Sequence, residues 1–83
     1  MSVRRQRATT SKTYAMDKCY SVAVREAKRI HRYDGKFYMT RIGECFTSLR
    51  EVDCEIHGYD KSKLETWIFQ DGKWRRIIDG KII

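Results

Sequence analysis

Cys54 and His57 stand at metal-ligand spacing in this 83-residue chain, and Cys45 lies nine residues before Cys54. A structural zinc site takes four ligands, normally in two close pairs. Here the second pair is missing, and only the distant Cys19 and His31 remain to complete it. As nucleophile and base, Cys54 and His57 fare no better. They fall in a stretch that alternates like a strand, where residues three apart point to opposite faces. No third group stands by to orient the base. The five glycines form neither a G-x-G-x-x-G nor a Walker A pattern that would cradle a phosphate. The sequence therefore predicts a non-enzymatic protein with no metal and no cofactor. Three cysteines are an odd, irregularly spaced set, which reads as reduced thiols, mostly buried, in a cytoplasmic protein.

Cations offer the stronger chemistry. Eighteen Lys and Arg face eleven Asp and Glu, leaving a formal charge of +7 and a pI near 9.6. Residues 1–41 hold eleven of the cations and three acids, so the whole positive excess lies in the first half. Such asymmetry points to a polyanion partner. Arg4, Arg5 and Arg7 belong to a segment, residues 1–12, with no apolar period, read as a flexible, disordered basic arm. Lys18, Arg25, Arg29 and Arg32 then recur at i, i+7, i+11 and i+14, with Lys28 beside them. On a helix these form one face, and stacked like charges cost a few tenths of a kcal/mol per pair. A negative partner would offset that cost. Trp74, Arg75 and Arg76 add the stacking and cationic groups used by binders of single-stranded nucleic acid. Core packing is expected to claim at least one of Trp67 and Trp74.

These groups need elements to position them. Met16, Tyr20, Ala23, Ala27 and Ile30 follow i, i+4, i+7, i+11 and i+14, which predicts an amphipathic helix over 14–33, its basic face over 17–32. Thr13 is the expected N-cap, Asp17 the first-turn acid, and Gly35 the stop. A rival reading makes residues 20–24 a strand, but the helical period runs longer. Strands are predicted over 36–42, 51–58, 64–69 and 74–78, with a short tail at 82–83. In 51–58, Val52, Cys54 and Ile56 are expected inward, and Asp53, Glu55 and His57 outward. Asp71-Gly72 favours a type I′ hairpin, and Asp79-Gly80 another tight turn. The expected fold is α+β: residues 13–83 as a single small domain with one amphipathic helix packed on a four-stranded antiparallel sheet.

The functional expectation is a small nucleic-acid-binding protein that uses the helix face and the arm, on DNA or RNA, with mostly electrostatic affinity. The runner-up is a phage- or mobile-element-type protein that inhibits or adapts a larger, acidic host protein such as a nucleic-acid enzyme. Self-association, as a homodimer, through the open sheet face or edge strands fits either reading. No apolar run is long enough to span a membrane, and none follows the basic start as a secretory leader would.

Overall fold

The computed structural model describes residues 13–83; the arm read from residues 1–12, with Arg4, Arg5 and Arg7, lies outside the described residues. Strand β1 (Met16–Asp17) leads into helix α1 (Tyr20–Ile30). Strands β2 (Lys36–Ile42) and β3 (Cys45–Leu49) form a hairpin, followed by helix α2 (Glu51–His57). A 3-10 turn at Lys61–Lys63 precedes β4 (Glu65–Gln70), β5 (Lys73–Ile78) and β6 (Lys81–Ile82). The strands form one antiparallel sheet in the order β1-β3-β2-β4-β5-β6. The α+β class stands, with two helices in place of one and six strands in place of four.

Strand alternation sends neighbouring residues to opposite faces and gives the sheet two small cores. Phe37 and Met39 point to one face, where Ala23, Val24 and Ala27 of α1 pack on them with Ala15. Tyr38 and Leu49 point to the other, where Cys54 of α2 meets them beside Tyr59 and Leu64. Each helix thus covers its own side of the sheet. The small residues of α1 let its backbone approach the sheet closely, and Phe37, Trp67 and Trp74 fill the space beside it.

Several boundaries differ from the sequence reading. Helix α1 starts at Tyr20, not 14. Asp17 closes a local turn by accepting the Cys19 N–H at 2.8 Å, and Met16 and Asp17 pair with Thr47 and Phe46. That pairing leaves Met16 exposed on the far face rather than in the helix stripe. Ile30, expected in the stripe, is also exposed. At the other end, the backbone leaves the helix at His31, and the Gly35 N–H bonds back to its carbonyl at 3.0 Å.

Residues 51–57 are a helix, not a strand. The Asp53 carboxylate accepts the Arg50 backbone N–H at 3.1 Å and takes the Arg50 guanidinium at 2.7 and 2.8 Å. This clasp caps the first turn, and Gly58, with φ of 79°, ends the helix in the left-handed conformation. The inside and outside assignments change with it. Asp53 is fully buried, while Val52 and Ile56, one helical turn apart, are each 39% exposed. Strand β3 was not foreseen. Its link to β2 is the two-residue loop Gly43-Glu44, with Gly43 at positive φ. The Asp71-Gly72 and Asp79-Gly80 turns both have positive φ at both residues, as type I′ hairpins require.

Candidate nucleic-acid interface

Helix α1 turns Ala23, Val24 and Ala27 to the sheet, and so must present Arg25, Lys28 and Arg29 on its outer side. Arg32 continues the row in the turn that follows. Neighbours three and four apart on a helix lie within about 5–6 Å at Cβ, so Arg25, Lys28 and Arg29 form one patch, with Arg32 following it in the chain. Arg29 is paired with Glu26 in the helix. Arg25, Lys28 and Arg32 have no carboxylate within ion-pair reach among the described residues. Lys28 places its ammonium 4.5 Å from the centre of the Trp67 ring. Arg32 lies 6.0 Å over the ring of Tyr33, which is 94% exposed. Lys18 does not join the row. It precedes the helix and faces Glu44 at 3.7 Å.

The register of β4 and β5 decides where the C-terminal candidates fall. Trp67 pairs with Phe37 and Arg76, and Phe69 pairs with Trp74. Trp67, Phe69, Trp74 and Arg76 therefore share the face that carries α1. Arg75, paired with Ile68, points to the other face and is not brought together with the helix cations. Arg76 is already engaged. Its guanidinium bonds Glu65 at 3.1 Å and lies over Tyr20. Glu65 also accepts the Trp67 indole N–H at 2.6 Å and the Tyr20 hydroxyl. Burial and this carboxylate push the Tyr20 phenol up to about 12. Glu65 is thus a structural node tying α1 to β4 and β5. Trp74 packs beside Phe37 and meets Phe69 edge-on, ring centres 5.4 Å apart. Phe69 is 47% exposed. Tyr33, the most exposed aromatic of this side, was not singled out from sequence; its place next to Arg32 at the end of a basic helix was the available signal.

Behind the patch, His31 is fully buried rather than on the surface. It stacks on Phe37 and receives the edge of Tyr14. Its Nδ1 faces Asp34 at 3.2 Å and its Nε2 faces Ser48 Oγ at 2.8 Å; that oxygen also accepts the Ala15 N–H at 2.9 Å. Every group is satisfied when neutral His31 donates from Nδ1 and accepts the Ser48 hydroxyl at Nε2. Burial pulls the His31 pKa below its usual value, against the opposing pull of Asp34. This chain of bonds fixes residues 14–15 to the sheet.

The opposite side of the sheet is differently built. Lys61 bonds Glu55 at 2.8 Å and Glu51 at 3.3 Å, and Lys36 reaches Glu51 at 3.4 Å. A cleft of about 280 Å³ there is lined by Asp34, Lys36, Arg50, Glu51 and Val52. Both of its cations already have carboxylate partners, Glu51 and Asp53, which leaves little net charge for an anion.

Cys54 and His57 sit on α2, not on a strand. Cys54 is buried and its thiol is pushed up to about 11 by burial, the wrong direction for a nucleophile. His57 is exposed and packs on Tyr59. Among the described residues no group of three or more His, Cys, Asp or Glu is placed to hold a metal ion. No helix among them is long and apolar enough to cross a membrane. Comparison of the chain with protein-family models, curated proteins and solved structures gives no match.

Proposed function

We propose that this chain is a small, non-enzymatic nucleic-acid-binding protein that docks the outer side of α1 on a phosphate backbone. The observation that carries the reading is the row Arg25, Lys28 and Arg32, three cations on α1 and the turn that ends it with no carboxylate partner among the described residues. Like charges held this close repel, and phosphates relieve the repulsion while releasing counterions. The arm with Arg4, Arg5 and Arg7 would extend the same footprint. The test is titration of nuclease-treated protein against labelled DNA and RNA at two salt concentrations. Micromolar or tighter binding at low salt that collapses at high salt supports the reading. No binding at low salt removes it.

A second reading has its own observation. Met16, Ile42, Val52, Ile56 and Ile82 are exposed apolar residues, and helix position or sheet register puts all five on the α2 side. They favour a protein partner, as an inhibitor or adaptor of a larger protein would require. Binding through that side would depend weakly on salt, which separates the two readings.

A further inference from the structure

We infer that the nucleic acid taken by the α1 side is single-stranded, its phosphates on Arg25, Lys28 and Arg32 and its bases stacked on Tyr33, Phe69 and Trp74. This rests on the nucleic-acid reading above and goes beyond it to the strand state. Two observations point the same way. The first is that the cations stand beside aromatic rings on one face. Lys28 lies over Trp67, and Trp67 shares its sheet face with Phe69, Trp74 and the α1 contact. The second is exposure. Tyr33 is 94% and Phe69 47% exposed, and the turn carrying Tyr33 is tied to Phe69 by the Phe69 N–H bonding the Gly35 carbonyl at 2.9 Å. Tyr33 is two residues before Gly35, so the two aromatics belong to one end of the patch.

A duplex hides the faces of its bases and would use the cations alone. Unpaired bases have faces to stack, and aromatic platforms beside a cationic row are the arrangement that binds them. Trp67 is near-parallel to Phe37, at an interplanar angle of 11°, and carries the Lys28 ammonium over its ring. It therefore serves to place Lys28, and the stacking falls to the exposed rings of Tyr33 and Phe69 and to Trp74, which meets Phe69 edge-on. Asp34, the acid of this turn, is directed at His31 and does not pair with Arg32. The row runs from Arg25 in α1 to Arg32 in the turn just after it, a length of about two helical turns, so the footprint is a few nucleotides.

The test uses the full chain and oligonucleotides of about 12 residues, single-stranded and as the matching duplex. Trp67 and Trp74 are the only tryptophans and both lie on this face, so intrinsic fluorescence reports occupancy directly. The expected result is saturable quenching by single strands, affinity for them about tenfold above the duplex, and about tenfold loss in the double variant Tyr33→Ala with Phe69→Ala. That variant should keep its circular dichroism spectrum, since both side chains are exposed, and should keep the wild-type salt slope. Equal affinity for duplex and single strand, with unchanged binding by the variant, would overturn the inference while leaving the phosphate-docking reading in place. Binding to neither at low salt would overturn both.

Discussion

On the α2 side of the sheet, Arg50 grips buried Asp53 through two bonds, Lys61 bridges Glu51 and Glu55, and Lys36 reaches Glu51. On the α1 side, Arg25, Lys28 and Arg32 have no carboxylate partner among the described residues, and Lys28 and Arg32 lie over the rings of Trp67 and Tyr33. Both sides use the same residue types. The difference lies in what answers the charge: on one side a carboxylate three to fifteen residues away in the chain, on the other, for these three cations, no carboxylate among the described residues, although Arg29 and Arg76 on that side are paired with Glu26 and Glu65. Charge that is paired within the fold holds elements in place. Charge left unpaired beside rings adds little to folding and is available to a ligand.

The sharpest way to break this contrast is to remove one member from each side and measure stability by chemical denaturation. Asp53→Asn removes the carboxylate that caps α2 and answers Arg50, and is expected to cost about 2–3 kcal/mol, a large part of the stability of a domain this size. Arg25→Ala, on the exposed side, is expected to change stability by no more than about 0.5 kcal/mol. Equal losses would mean that the α1 cations are structural after all.

Among the described residues the α1 side has one fully buried titratable group, His31, and it gives a pH test. Asp34, Asp53 and Arg50 are the charged groups that act on it, but burial dominates and lowers its pKa from 6.5. The unfolded chain then binds the proton more readily than the folded one. The contribution to stability is present above about pH 6.5 and is lost as pH falls below that value towards the depressed folded pKa. Protonated His31 would also turn a second donor on Ser48 Oγ, which already accepts the Ala15 N–H. Thermal melts should show stability declining as pH falls below about 6.5, with a flatter profile in His31→Gln. The paired carboxylate Glu51, whose pKa is lowered chiefly by its bond to Lys61, acts only below 4.5 and does not share this window.

A smaller effect separates the thiols. Cys19, at the start of α1, is exposed and its pKa is lowered by the bond to the Ser21 hydroxyl; Cys54, in α2, is buried and raised. A thiol reagent near neutral pH should modify Cys19 first and Cys54 only on unfolding, as read by mass spectrometry. Early modification of Cys54 would show that α2 opens readily, against the rigidity assigned to that side.

How far the sequence anticipates this structure depends on segment length and on local clasps. The middle of α1 was legible because Tyr20, Ala23 and Ala27 recur at helical spacing over about two turns. The Asp71-Gly72 hairpin was legible because few other pairs accept positive φ twice. Residues 51–57 were not. Over so short a stretch, Val52, Cys54 and Ile56 satisfy a strand alternation, and the Arg50–Asp53 clasp and Gly58 decide for a helix. The same clasp buries an acid that looked solvent-facing. The basic face was legible in its centre, at Arg25, Lys28 and Arg29. At its ends it was not, because Asp17 turns the chain before Lys18 can join the helix, and His31 ends the helix before Arg32. Trp74, Arg75 and Arg76 read as one group, yet strand alternation splits them and Glu65 occupies Arg76.

The most direct test of the account is the salt dependence of nucleic-acid affinity in three proteins: wild type, Arg25→Ala with Arg32→Ala, and Lys36→Ala with Lys61→Ala. Each lost phosphate contact lowers the slope of log affinity against log salt by about one. The α1 variant should therefore lose about two from that slope and weaken at low salt, while the α2 variant keeps the wild-type slope. Equal slopes in all three proteins, or a loss confined to the α2 variant, would contradict the assignment of the α1 side as the nucleic-acid face.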